Sequence, residues 1–188
     1  MCIRDRYGVP LEKRGARFEE QLAIVKALWT QERVSFKGTY YTVDGRLEPK
    51  PVAKPHPPIW IGGNGTRARQ RVANRGQGWC PFPAPALLAR TARTAALDTR
   101  ELLAEAIGDL HARLDAAGRD PASVDITFGN PDGGSPATDA FDADAHLAGL
   151  AQLAALGVTW VQVALPGDSL AHAVETVERY GKAVIARA

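Results

Sequence analysis

Two hydrophobic rhythms alternate along the chain. Over residues 14–30, Phe18, Leu22, Val25, Leu28 and Trp29 recur at three- and four-residue intervals with Glu19, Glu20 and Lys26 between them. That spacing predicts an amphipathic helix with one apolar face. Residues 34–45 instead read as two short strands turned at Lys37-Gly38, and prolines at 49, 51, 55, 57 and 58 make the following segment extended and stiff. Beyond it, four β-forming stretches at 59–63, 78–82, 124–128 and 158–165 are each followed by a helical pattern. The first of these helices covers 66–75 and stops at Gly76. In the second, Leu103, Ala106, Ile107, Leu110 and Leu114 line one face, and Asp98, three residues before Glu101, stands where a capping box would open it. The last starts near Asp168-Ser169 and is predicted to turn Leu170, Val174, Val177 and Val184 inward.

Strand-then-helix units in succession require a parallel sheet, because each helical crossover returns the chain in the same direction. Two architectures satisfy this: an open doubly wound sheet, or part of a closed (β/α)8 barrel. A complete barrel takes about 250 residues and eight units, so four units amount to half of one. The stretch 129–139, rich in Gly, Pro, Asp and Ser, follows the third strand at the carboxyl end, where sites on parallel sheets form. It reads either as a solvated connection or as a substrate lid.

The chemistry concentrates where the strand Pro58-Ile59-Trp60-Ile61 breaks into Gly62-Gly63-Asn64-Gly65-Thr66 and a helix begins at once. Bare N–H groups at a helix N-terminus, with the positive end of the helix dipole behind them, bind anions such as phosphate. The other reading is a tight turn that needs positive φ. Neither the Gly-x-Gly-x-x-Gly pattern nor the Lys-Ser/Thr of a P-loop is present. Arg67, Arg69, Arg71 and Arg75 read as a solvated helix face, on which Arg67 alone is placed to steer an anion.

Composition narrows the function classes. At 188 residues and 45% hydrophobic content the chain has material for a core. The 23 Lys and Arg are interspersed with 21 Asp and Glu for a net charge of +2, which argues against a nucleic-acid partner. Cys2 and Cys80 form neither a metal spacing nor a disulfide framework, so a reducing cytoplasm is expected, with Cys80 as a small core residue. No apolar run reaches the ~18 residues of a membrane span, and the first residues lack the apolar middle of a signal peptide. A membrane partner is therefore not expected. His56, His111, His146 and His172 are scattered and read as surface residues; no nucleophile, base and orienting group occur together, and no catalytic residue is assigned.

Taken in order, Gly15-Ala16-Arg17-Phe18-Glu19-Glu20, Trp29, Phe36-Lys37-Gly38-Thr39-Tyr40-Tyr41, Pro49-Lys50-Pro51, Pro57-Pro58-Ile59-Trp60-Ile61-Gly62-Gly63 and Gly76-Gln77-Gly78-Trp79 resemble the carboxyl-terminal half of the luciferase-like monooxygenase superfamily. The deazaflavin-using branch is the nearer. The resemblance spans residues 7–188 and implies an α/β fold: the carboxyl-terminal half of a (β/α)8 TIM-type barrel, with four parallel strand-helix units at 59–188 preceded by a helix, a short β-hairpin and the Pro-rich segment within 34–58. It implies flavin-based oxidation or hydride transfer on a small organic substrate, with coenzyme F420 favoured as cofactor over FMN. It also places the cofactor phosphate at Gly62, Gly63, Asn64, Gly65 and Thr66, and Trp79 on the next strand either as a cleft wall or as a core tryptophan. Since a cofactor of this kind carries the chemistry, the lack of a catalytic cluster is explained.

The departure from the family is the absence of the first four or so strand-helix units, and residues 1–6 match nothing and read as a foreign leader ahead of Tyr7. The chain is therefore expected to be an inactive fragment whose exposed edges and inner face favour a homo-oligomer. A phosphate- or nucleotide-binding α/β module and an inert truncated remnant are the alternatives.

Overall fold

The computed structural model describes Gly8 and residues 12–187, so the expected leader at 1–6 lies outside the described residues. The chain divides into two compact units between Pro57 and Pro58.

In the first unit, helix α1 (Arg14–Thr30) is followed by the antiparallel strands β1 (Val34–Lys37) and β2 (Thr42–Gly45), paired from Val34↔Gly45 to Lys37↔Thr42. The four residues between the strands are held by one side chain. Glu20 accepts the N–H groups of Thr39, Tyr40 and Tyr41 at 2.8, 3.0 and 3.1 Å. Desolvation in this contact pushes the carboxyl up, but the three N–H bonds, with Arg17 nearby, outweigh it and hold Glu20 below its ordinary pKa. A Cβ at Gly38 would collide with that carboxylate, so glycine is required there. At the other end of α1, the Lys50 ammonium donates to the carbonyls of Leu28 and Gln31 at 2.9 and 2.6 Å and caps the helix.

The second unit contains β3 (Trp60–Gly62), α2 (Thr66–Arg75), β4 (Gly78–Cys80), α3 (Ala86–Ala92), α4 (Arg100–Ala116), β5 (Asp125–Gly129), α5 (Ala143–Ala155), β6 (Trp160–Gln162) and α6 (Leu170–Ala183). The four strands pair in parallel in the order β3-β4-β5-β6. Ile61, Trp79, Ile126 and Phe128 of the sheet share one core with Val72 of α2, Leu103, Ile107, Leu110 and Leu114 of α4, and Leu153 of α5. These three helices therefore cover one face, as in half a barrel, rather than being divided between both faces of a doubly wound sheet.

The opposite face carries Trp60 and Trp160. Adjacent strands lie ~4.8 Å apart, which puts β3 and β6 about 14 Å from each other in a flat sheet. Yet the rings of Trp60 and Trp160, from these two strands, meet edge to face at 5.7 Å. Gly78, the partner of Trp60 in the register, makes the contact possible because a Cβ there would strike the Trp60 ring.

Three details differ from the sequence reading. The fourth strand is only three residues long, since β6 pairs with β5 alone and the pairing ends at Gly129↔Gln162. The cap of α4 is Thr99, whose side chain accepts the Leu102 N–H at 3.2 Å, and not Asp98. On α6, Leu170, Val174 and Val177 are 81%, 48% and 52% exposed. The edge that α6 turns toward its neighbours is His172, Thr176, Tyr180 and Val184, because polar bonds to His146 of α5 and to the Ala137 carbonyl in the connection after β5 set its rotation. Among the described residues no helix is long and apolar enough to cross a membrane.

Thr99→Ala should lower the stability of the chain by about 1 kcal/mol, the usual cost of a lost N-cap, whereas Asp98→Ala should change it by less than about 0.5 kcal/mol. Urea unfolding followed by tryptophan fluorescence measures both.

Candidate functional site

The turn after β3 is fastened from three sides. Gly63 has φ +111°, a conformation only glycine adopts without strain. Its N–H donates to the Cys80 carbonyl at 3.2 Å, and its carbonyl accepts the Trp79 indole N–H at 2.9 Å. Trp79 is fully buried, which makes it a core residue rather than a cleft wall. Asn64 is fully buried as well. Its amide Nδ2 donates to the carbonyls of Phe82 and Ala95 at 2.9 and 3.2 Å, its Oδ1 accepts the Phe82 N–H at 3.0 Å, and its backbone N–H donates to the Thr94 hydroxyl at 3.2 Å.

Arg69 braces the turn from behind. It donates to the Asn64 carbonyl at 2.7 Å and to the Asp109 carboxylate at 2.5 Å, and its guanidinium lies 5.8 Å from the centre of the Trp79 ring. The hydrogen bond from Arg113 depresses the Asp109 pKa most, desolvation opposes it, and Arg69 adds to the lowering, so the carboxylate stays ionised. Arg69 is thus a structural strut and not part of a solvated face.

Five residues were expected to cradle an anion, and the structure divides them. The N–H groups of Gly63 and Asn64 are consumed inside the protein. Gly65 is the N-cap of α2, and the first N–H groups turned back onto it are those of Ala68 and Arg69 at 2.9 and 3.3 Å. The N–H groups of Gly65, Thr66 and Arg67 precede them, with the Thr66 and Arg67 side chains exposed. At the positive end of the helix these three are the donors left for an anion. Gly62 and Cys80 are register partners on the face of the sheet that carries Trp60, beside this turn. Cys80 is half-buried rather than a core residue, and desolvation pushes its thiol up, so it is protonated near neutrality.

The stretch 129–139 is neither freely solvated nor detached. Asn130 donates to the His146 carbonyl at 2.9 Å, Gly133 accepts the Asp142 N–H at 2.9 Å, and Asp132 pairs with Arg100. His146 is buried, against the expectation of a surface residue. It lies in the first turn of α5, where Nδ1 faces the Asp132 carbonyl at 2.9 Å, Nε2 the Tyr180 hydroxyl at 3.1 Å, and Phe141 packs edge-on at 5.2 Å. The helical pattern around His146 offered no sign of these partners, which come from the loop and from α6. Among the described residues no cluster of His, Cys, Asp or Glu has the arrangement of a metal site.

Comparison with known proteins accords with this geometry. Residues 2–131 match the family described as luciferase-like monooxygenase. Over 69 residues, 36% of this chain and 19% of the relative, it is 41% identical to the FMNH(2)-dependent dimethylsulfone monooxygenase of Pseudomonas putida. An uncharacterized protein of Mycobacterium tuberculosis is 31% identical over 175 residues, 92% of this chain and 52% of its own length. Among solved structures, the monooxygenase RslO1 from Streptomyces bottropensis superposes with a TM-score of 0.74 at 17% identity, over 97% of this chain and 64% of that one. The coenzyme F420 dependent tetrahydromethanopterin reductase from Methanopyrus kandleri does so with 0.65 at 14%, over 95% and 64%. The chain belongs to the luciferase-like monooxygenase family, and its four-stranded parallel sheet with flanking helices resembles the fold of these neighbours. It spans about half the length of the mycobacterial relative.

Asn64→Ala removes the side-chain bonds that join three segments and should destabilise the second unit by about 2–4 kcal/mol, the cost of leaving several buried backbone groups unpaired. Chemical denaturation tests this, and a variant as stable as the parent would show that the staple is idle.

Proposed function

We propose that this chain supplies the carboxyl-terminal half of an oxidoreductase that uses a deazaflavin or flavin cofactor on a small organic substrate. The cofactor phosphate rests on the N–H groups of Gly65, Thr66 and Arg67, framed by Gly62, Gly63 and Asn64. One observation carries the reading: the turn at the carboxyl end of β3 spends its inner N–H groups on the protein and keeps three outer ones at a helix N-terminus. The residues fit such a group, because a Cβ at Gly65 would meet nothing within 4 Å, leaving room in front of the donors.

Bound there, the cofactor would supply hydride transfer or oxidation through its ring system. This chain's residues bind and orient. The exposed Arg67 guanidinium adds positive charge beside the phosphate. Gly62, lacking a side chain, leaves the carboxyl end of β3 uncovered, whereas at Gly129 the ring of Pro83 stands 3.6 Å from where a Cβ would be. Coenzyme F420 is favoured over FMN, on the resemblance of the Lys37-to-Tyr41 hairpin and the Pro58-to-Gly63 strand to the deazaflavin branch. By itself the chain is expected to be inactive. Self-association is part of the same proposal, supported by Trp60 and Trp160, which remain 37% and 55% exposed on the inner face. So is a cytoplasmic location. The nucleotide-binding alternative is disfavoured by helices gathered on one face of the sheet.

Gly65→Asp separates binding from folding. Aspartate is a good N-cap, so stability should stay level or rise by a few tenths of a kcal/mol. The carboxylate, however, would occupy the same N–H groups and repel an anion. Affinity for FMN and for coenzyme F420 should fall at least about tenfold, or 1.4 kcal/mol. Unchanged affinity for both would place the phosphate elsewhere.

A further inference from the structure

We propose that a protonated His172 clasps the connection between β5 and α5 onto α6, and that the clasp opens as pH rises, making this connection a pH-responsive wall beside the carboxyl ends of the strands. The inference is independent of which cofactor, if any, binds at Gly65.

Hydrogen-bond complementarity at the two histidines carries the argument. On His172, Nδ1 lies 2.9 Å from both oxygens of Asp168 and Nε2 lies 3.1 Å from the carbonyl oxygen of Ala137. A carboxylate and a carbonyl only accept, so both ring nitrogens must carry hydrogen, and only the imidazolium does. His146, which holds the base of the same connection, differs. Its Nδ1 faces the Asp132 carbonyl, but its Nε2 faces the Tyr180 hydroxyl, which can donate. One connection is thus tied to the helices by two histidines, of which only His172 faces acceptors alone.

The charges around His172 point the same way. Asp168 raises its pKa most, the Ala137 carbonyl adds to this, desolvation opposes, and Glu175 on the next turn of α6 contributes a further negative charge. Asp168 is in turn held below the ordinary carboxylate range, chiefly by its bond to His172. From the connection itself, Asp139 faces Arg179 at 3.5 Å, and Arg179 also donates to the Pro136 carbonyl. These contacts hold Pro136 and Asp139 to α6, so the opening loosens the segment around Ala137 without detaching the connection.

The sign follows from the raised pKa. A group whose pKa is higher in the folded state contributes stability that is complete below its unfolded value, about 6.5 for histidine, and lost as pH rises through the folded value. The clasp is therefore closed in mild acid and opens as pH rises through a midpoint above about 6.5.

NMR of the 188-residue chain tests this directly. The His172 ring should titrate with a midpoint above about 6.5 and carry hydrogen on both nitrogens below it. Amide protection at Thr138 and Phe141, corrected for intrinsic base catalysis, should fall severalfold across that midpoint, while protection at His146 stays level. His172→Ala should abolish the step. Should that variant fold poorly, Asp168→Asn serves instead, and both the midpoint and the step should move to lower pH together. A midpoint at or below about 6.5, protection independent of pH, or a step that persists unchanged in either variant would overturn the proposal.

Discussion

The carboxyl end of the sheet depends on the amide of Asn64, a polar side chain with no access to solvent and backbone groups for partners. Burying an amide without partners costs on the order of 1–3 kcal/mol, so the segment after β4 and the stretch near Ala95 must stay in register with the turn that carries it. The consequence reaches the candidate site. Because the Asn64 N–H is taken by Thr94 and the Gly63 N–H by Cys80, the donors that this turn leaves for an anion begin at Gly65. Trp79 and Arg69 lock the same turn from the core side, one through its indole N–H and the other through its guanidinium. A site whose donors are backbone groups keeps its shape only if such packing makes the backbone rigid.

The residues that carry the family likeness turn out to be mainly structural. Gly38 clears the Glu20 carboxylate, Lys50 caps α1, Gly78 admits the Trp60 ring, and Trp79 holds Gly63. None of them performs an acid, base or nucleophilic step in the geometry seen here.

How much could be read from the residues varied with the range of the forces involved. The helices at 14–30 and 66–75 and the parallel strands were legible because local periodicity and glycine punctuation determine them. The glycine turn was legible as a place, but its division into spent and free donors was not. That division depends on Thr94 and Cys80, 30 and 17 residues away from their donors. The rotation of α6 was misread for a similar reason. Its apolar stripe Leu170, Val174, Val177 suggested the inward side, but bonds from His172, Arg179 and Tyr180 to other segments turn a different edge inward. His146 failed likewise, since nothing within its own helix announces the loop carbonyl and the tyrosine that bury it. At Thr99 the choice between neighbouring caps came down to one hydroxyl, below the resolution of a pattern.

The central claim is that the three outer N–H groups of the turn receive the phosphate of a flavin-type cofactor. Amide NMR of the isotopically labelled chain, titrated with FMN, with coenzyme F420 and with riboflavin as a phosphate-free control, addresses it most directly. The account predicts that the Gly65, Thr66 and Arg67 resonances shift downfield with the two phosphorylated cofactors and far less with riboflavin, while Gly63 and Asn64, already bonded within the protein, move little. Shifts centred on another helix N-terminus, or equal shifts with riboflavin, would contradict it.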